Sequence, residues 1–324
     1  MRVMPIDDLI RYLQCACCGY HELAQNDGAV YCPNCNRSYR CKNGILDMVL
    51  PEHLDDNCQL EMAYIYDNND EQLVTILANK DQWQPTVVRQ LNDSINMIVA
   101  LLADRDSSVP LVSIGSGAGF ELKQILTQKQ FDTVLSSDIN PSSTSIVPIT
   151  VAGFNGELGL FVSEFMHCPV RKTENSIGLC FQALHHAEDS HNALRKLLQD
   201  NFTELILVEP VTNRLIELLA RFGLAKRVEH TGIKPDWMNI PRIKSLAANL
   251  GFDVTVRTWW ELPPIITTNK WFVRWPILWQ AVFAVTDQIS RMTDIFSFGS
   301  MALIHCRKKM ETDVPLIQPK QGHP

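Results

Sequence analysis

Leu111-Val-Ser-Ile-Gly-Ser-Gly-Ala-Gly-Phe-Glu121 is the stretch from which the rest of this 324-residue chain is read. A short apolar run stopped by a turn signal reads as a buried strand. Gly115, Gly117 and Gly119 follow at alternate positions, where glycine reaches backbone angles closed to other residues and lets a ligand approach the main chain. A helix-like segment over 121–128 comes next, and the unpaired amides at its start favour a polar or anionic group. These features predict a nucleotide-type cofactor loop, Ser116 included, at the end of a first parallel strand.

Thr133 to Asp138 reads as a second strand ending in an acidic residue. A carboxylate there, beside the glycine loop, can accept both ribose hydroxyls of an adenosine cofactor. Asp138 and the adjoining Ile139 are therefore candidate cofactor contacts. The dinucleotide fingerprint needs a small residue where Phe120 stands. The loop instead reads GxGxG, the form found with a sulfonium cofactor.

On these motifs, residues 105–307 resemble a class I S-adenosyl-L-methionine-dependent methyltransferase of the ubiquinone/menaquinone-biosynthesis-like kind. The resemblance implies an α/β fold: a doubly wound, Rossmann-like sheet of seven strands. Ser163-Glu-Phe-Met-His-Cys-Pro169 matches the segment after the family's third strand, which implies Glu164 at the adenine amino group and Phe165 against its ring. Ile177 to His186 is similar to the fourth strand with its A-L-H-H ending, and Gln182 there joins the candidate cofactor contacts. Thr203 to Pro210 matches the fifth strand, Arg242 to Leu250 with Gly251-Phe252 the helix and start of the sixth, and Gly299 to Arg307 an antiparallel seventh. Ser113 and Gly178 depart from the pattern, standing where the family carries acidic residues. A cofactor-binding scaffold without catalysis, docking a partner, is accordingly an alternative reading.

Residues 1–50 form a second module. Cys15-Ala-Cys-Cys18 and Cys32-Pro-Asn-Cys35 are two CxxC knuckles separated by thirteen residues. Thiolates at i and i+3 on tight turns occupy two corners of a tetrahedron, and two such turns close a structural Zn²⁺ site. Cys15, Cys18, Cys32 and Cys35 are the expected ligands, with Cys17 spare; a register that uses Cys17 is the alternative. With Tyr39 and Asn43-Gly-Ile-Leu-Asp-Met48, the module resembles the zinc ribbon of the small activator subunit of tRNA and protein methyltransferases, which implies a protein partner for it. A similar ribbon grips RNA in a ribosomal-RNA guanine methyltransferase. An RNA methyltransferase is thus a second alternative, but residues 1–60 carry five cations against eight carboxylates. An electronegative ribbon is a poor phosphate clamp.

Methyl transfer is an in-line displacement in which the protein supplies alignment and desolvation. For a hydroxyl or acidic-carbon acceptor a base is needed, and His185 and His186, after the fourth strand, are the candidates. Glu209 is read as either a substrate contact or a cap of the following helix. Residues 221–246 concentrate Arg and Lys, a solvated helix face or an anion-binding surface. An aromatic-rich insert spans about 259–298, in which Leu278, Ala281, Val282, Val285 and Ile289 are expected to be a buried stripe. A lid over an apolar acceptor, or a lipid- or partner-facing surface, is the alternative there. Residues 51–104 read as a linker and helices, with Pro85 to Asp104 covering the cofactor pocket; 308–324 reads as a disordered tail.

The formal charge of −7 and pI near 5.7 argue against general nucleic-acid binding. No signal-peptide h-region and no apolar run of spanning length are read, so a cytoplasmic protein without a transmembrane segment is expected. The expected substrate is a small molecule or a lipid-like acceptor.

Overall fold

The computed structural model describes residues 1–26, 28–63, 83–221 and 233–309. Twelve strands are joined in one sheet: β1 (Arg2–Val3), β2 (Ala24–Asn26), β3 (Ala29–Tyr31), β4 (Ser38–Lys42), β5 (Ile45–Asp47), β6 (Leu111–Ile114), β7 (Thr133–Asp138), β8 (Glu157–Val162), β9 (Thr173–Phe181), β10 (Phe202–Pro210), β11 (Phe252–Trp259) and β12 (Met301–Lys308). The apolar run 111–114 is buried at every position, as a central parallel strand covered on both faces requires. The larger part of the sheet is ordered β8-β7-β6-β9-β10-β12-β11, with only β12 antiparallel to its neighbours. This is the doubly wound, Rossmann-like architecture expected from the strand pattern.

Alternate strand residues feed two hydrophobic layers. Val112, Leu135, Leu205 and Leu207 pack on one face, and Leu111, Val134, Ile206 and Val208 on the other. The Pro85–Leu102 helix lies on the second face through Ile95, Ile98 and Leu102. Gly178 sits on the first, where an added Cβ would come within 2.7 Å of Leu205 and 2.9 Å of Phe202. Packing therefore requires glycine at this position, which accounts for one of the two departures from the family pattern.

The N-terminal ribbon continues the sheet. β5 pairs parallel with β8 through Leu46–Phe161 and Asp47–Val162, and β1 covers the remainder of the same edge. β4, β3 and β2 then extend outward in antiparallel order. An open parallel edge presents unpaired amides and carbonyls, so this pairing closes what is otherwise an aggregation-prone border. Leu46, Met48 and Leu50 share one core with Val112, Ile114 and Phe161. Ribbon and sheet are packed as one body.

The insert differs from expectation. The Pro276–Asp294 helix forms, with Pro276 in its first turn. The supposed buried stripe faces largely outward instead: Leu278, Ala281, Val285 and Ile289 are exposed, Val282 is half-buried, and the buried positions are Phe283 and Ser290. Periodicity identified the amphipathic helix correctly but assigned its apolar side to the core. Asp287, Ser290 and Asp294 turn the polar side inward through Arg89, Trp260 and Thr258. In the basic segment, Arg242 and Lys244 are exposed on the Ile240–Asn249 helix. Lys226, Arg227 and the tail beyond 309 lie outside the described residues.

Candidate cofactor site and metal centre

The sheet order reverses between β6 and β9, and in open α/β sheets ligands bind in the crevice at such a point. The glycine loop leaves β6 here. Gly115, Gly117 and Gly119 all have positive φ, at 69°, 50° and 75°. A Cβ on Gly115 would meet Ala183 at 2.5 Å and the Phe165 ring at 3.0 Å, and one on Gly119 would meet Val147 at 3.1 Å. Nothing lies within 4 Å of the corresponding point on Gly117. The middle of the loop thus faces open space while both ends are pinned.

Three amides of the loop itself are used internally. Ser116 N donates to Ser137 O at 2.9 Å, Gly119 N to Ser116 O at 2.8 Å, and Gly117 N to Asp138 Oδ2 at 2.8 Å. The Ser116 hydroxyl is buried 2.6 Å from Ser136 Oγ, turned to β7 rather than to the crevice. The negative group beside the loop is Asp138 itself. Its other oxygen accepts from Asn140 N at 2.9 Å, and burial pushes its pKa up to about 6. Each oxygen keeps a lone pair for a further donor. Ile139 follows it, half-buried.

Two buried polar atoms flank the loop without hydrogen-bond partners among the described residues: Ser113 Oγ and Glu121 Oε1. Burial raises the Glu121 pKa to about 8, with the Asp138 charge adding to the effect. Glu121 is therefore protonated in the fold up to about pH 8, whereas the unfolded chain ionises near its usual 4.5. The native state binds the extra proton, so the contribution of Glu121 to stability is fully present below pH 4.5 and declines up to about pH 8. The decline is expected to be a few kcal/mol, on the order of 1.4 per pH unit at most. Denaturant unfolding of wild type and Glu121→Gln across this range checks it: the variant should lose most of the slope, and an unaltered slope would contradict the assignment.

Glu164 is buried after β8, and its carboxylate accepts from Met166 N at 2.5 Å and pairs with His167 Nδ1. Phe165 lies against Gly115. Gln182, in the left-handed region at φ 50°, is exposed where β9 ends and is anchored by its amide to Val208 O at 2.7 Å.

The two histidines occupy the turn Leu184–His186. His185 is buried, with Nδ1 2.7 Å from Glu209 Oε2. His186 is half-buried, with Nδ1 2.8 Å from Glu61 Oε1. A carboxylate only accepts, so each Nδ1 carries the proton and each neutral imidazole has its lone pair on Nε2. Glu209 is fully buried and neither reaches solvent nor caps the following helix. It accepts from Ala183 N at 3.0 Å, Leu184 N at 2.8 Å and His185 N at 3.4 Å, and so builds the turn that carries both histidines.

A contribution that sequence reasoning missed comes from the Asp56–Ala63 helix, which straddles the crevice. Asn57 Nδ2 donates to His186 O at 2.9 Å, Glu61 holds the His186 ring, and Glu61 O accepts from Asn140 Nδ2 at 3.0 Å. Trp83 stacks on Phe120 at the loop's far end, ring centroids 4.2 Å apart. The helix 56–63 has no apolar stripe, so nothing local marks it as part of a site.

At the ribbon, the Sγ atoms of Cys15, Cys18, Cys32 and Cys35 lie within 4.8 Å of one another. The Cys15–Cys35 and Cys18–Cys32 separations are both 3.6 Å. A tetrahedral ion with Zn–S bonds near 2.3 Å has edges of about 3.8 Å, so the donor set fits Zn²⁺. The Tyr39 hydroxyl, 3.0 Å from Cys15 Sγ, and Asn34 Nδ2, 3.5 Å from Cys18 Sγ, supply hydrogen bonds from the surrounding shell. Cys17 is exposed and outside the cluster. Asp189, His191 and Asp236 also approach one another, but His191 Nε2 accepts from Asn239 N at 3.1 Å. Its Nδ1 therefore carries the proton and is no ligand.

No protein-family model matches this chain, and no curated protein matches it by sequence. Among solved structures, magnesium protoporphyrin IX methyltransferase from Synechocystis PCC 6803 with bound SAH aligns at a TM-score of 0.50 and 14% identity, over 78% of this chain and 100% of the other. The fold is the Rossmann-like methyltransferase fold. The YcgJ protein of Bacillus subtilis aligns at 0.48 and 13% identity, over 68% of this chain and 99% of its own. A complex of the Haloferax volcanii Trm112 methyltransferase activator with a methyltransferase aligns at 0.46 and 10% identity, over 74% of this chain and 96% of that one.

Proposed function

We propose that this chain is an S-adenosyl-L-methionine-dependent methyltransferase acting on a small-molecule or lipid-like acceptor, with a structural Zn²⁺ in its ribbon. The observation that carries the reading is Asp138: a carboxylate at the end of β7, hydrogen-bonded to the left-handed Gly117 at the switch point of the sheet. A dinucleotide sets its pyrophosphate against loop amides, and those of Ser116, Gly117 and Gly119 are already engaged. A sulfonium cofactor needs chiefly space at Gly117 and a ribose acceptor.

In this reading Asp138 takes the ribose hydroxyls, Gly115 to Gly119 with Ser116 shape the methionine end, and Ile139, Glu164, Phe165 and Gln182 surround the adenosine. The cofactor supplies the electrophilic methyl; the protein excludes water and aligns the acceptor. His186 Nε2 is the base for an acceptor that must lose a proton, its ring held by Glu61. His185, fixed by Glu209, supports the turn and is the second candidate. The ribbon's role is to hold the β8 edge.

Asp138→Ala tests the site. Calorimetry with S-adenosylhomocysteine should show binding at least about tenfold weaker, equivalent to ~1.4 kcal/mol, in a protein of unchanged fold. Unchanged affinity would remove the assignment.

A further inference from the structure

The Pro276–Asp294 helix turns its polar side inward and leaves an apolar side bare. Ile277 is 85% exposed, Val285 60% and Met292 63%, and the turn that follows the helix carries Ile295 at 81% and Phe296 at 80%. Positions 278, 281, 285, 289 and 292 recur at intervals of three and four, so they form one stripe along a helix about 28 Å long, with Ile277 on its border and Ile295 and Phe296 extending the apolar surface beyond its C-terminal end. Trp271 and Trp275, 65% and 55% exposed, stand at its N-terminal end. Isolated exposed apolar residues are ordinary; a continuous stripe of this length marks a contact surface.

The charges on the insert point to what covers it. Between residues 264 and 296 the acidic residues are Asp287 and Asp294, and both are engaged inward: Asp287 with Arg89 at 2.9 Å, Asp294 with Thr258 N at 2.5 Å. The cations are Lys270, Arg274 and Arg291, all exposed and without an ion-pair partner among the described residues. A chain of net charge −7 thus presents a locally cationic border around this apolar stripe. In a symmetric dimer the same patch meets itself, and these cations would oppose their own copies. Anionic headgroups complement them, acyl chains accept the stripe, and tryptophan suits the boundary between the two.

We propose that this face docks on an anionic phospholipid surface, with the helix axis in the plane of the bilayer. Among the described residues no helix is long and apolar enough to cross a membrane, so the contact is peripheral. The insert begins where β11 ends, and β11 runs parallel to β6, so it leaves the sheet at the same edge as the glycine loop. It is tied to the Pro85–Leu102 helix by Thr86 Oγ1 donating to Thr267 O at 2.5 Å. Docking therefore brings the crevice edge of the sheet toward the lipid. The proposal goes beyond methyl transfer and does not depend on it.

Flotation of the full chain with phosphatidylcholine vesicles, and with vesicles of phosphatidylcholine and phosphatidylglycerol, tests the surface. The wild type should float with the anionic vesicles, less so as salt rises, and weakly with the zwitterionic ones. The pair Arg274→Glu and Arg291→Glu should lower the anionic partition coefficient by at least about tenfold. The pair Ile277→Glu and Ile295→Glu should abolish binding to both. All four side chains are exposed, so the thermal midpoints should match wild type, and circular dichroism confirms folding before flotation. Absence of anionic binding by the wild type, or variants that float as it does, would overturn the proposal. So would a concentration-dependent dimer that the isoleucine pair dissolves, which would assign the face to a second copy.

Discussion

Removing the proposed ribbon zinc with a chelator, or replacing Cys32 by serine, is expected to lower the thermal midpoint of the whole protein by at least about 10 °C, in a single transition. Metal binding at a structural Cys₄ site is largely folding free energy, on the order of 10 kcal/mol in small zinc modules. Losing even half of it corresponds to a shift of about 10–20 °C for a domain of this size. The single transition follows from the packing. Cys15 and Cys32 are buried in the same cluster as Phe161 of β8 and Val112 of β6. β5 is moreover hydrogen-bonded to the β8 edge, and Met48 N donates to Val162 O at 2.9 Å. A ribbon that melts alone, leaving the larger sheet intact in calorimetry, would contradict this account.

The second large effect is expected at Glu209. Its fully buried carboxylate receives three backbone amides and the His185 ring. Glu209→Ala strands these donors without solvent, each buried unsatisfied group costing about 1–3 kcal/mol. A total loss of about 3–5 kcal/mol in urea unfolding is expected, the range for breaking a buried charged network. Glu209→Gln keeps one acceptor oxygen and should lose roughly half as much. A Glu209→Ala protein of wild-type stability with only a substrate defect would restore the view of this residue as a substrate contact.

Much of the fold was legible because its signals are local. Leu111 to Ile114 and Thr133 to Asp138 are apolar runs closed by turn residues, and the strands fall where these runs do. The two cysteine knuckles likewise suggest a four-thiol cluster by their spacing, with Cys17 the one ambiguity, and Cys15, Cys18, Cys32 and Cys35 do converge. What escaped depends on distant segments. Glu61 and Asn57 belong to a helix without an apolar stripe, and only tertiary structure brings them to His186, more than 120 residues away. Glu209 was noticed, but its partners lie 24 to 26 residues upstream on the neighbouring strand's turn. The pairing of β5 with β8 is a register between remote stretches that no local pattern encodes.

The insert teaches a separate lesson. Helical periodicity establishes that one side of a helix is apolar, and the Pro276–Asp294 segment is such a helix. It does not say what that side meets. Here Ser290, Asp287 and Asp294 found partners within the protein, and the apolar side was left outward. The residue at Gly178 is of the opposite kind: a larger side chain is excluded because Phe202 and Leu205 occupy the space it would need. At Ser113 the structure offers no such steric reason, only a buried hydroxyl without a hydrogen-bond partner among the described residues.

The most direct measurement is a crystal structure of the chain grown with S-adenosylhomocysteine. The predicted result is the ligand in the crevice between β6 and β9, its ribose hydroxyls on Asp138 and its chain passing Gly117. A crevice left empty, with the compound bound elsewhere, would contradict the central claim.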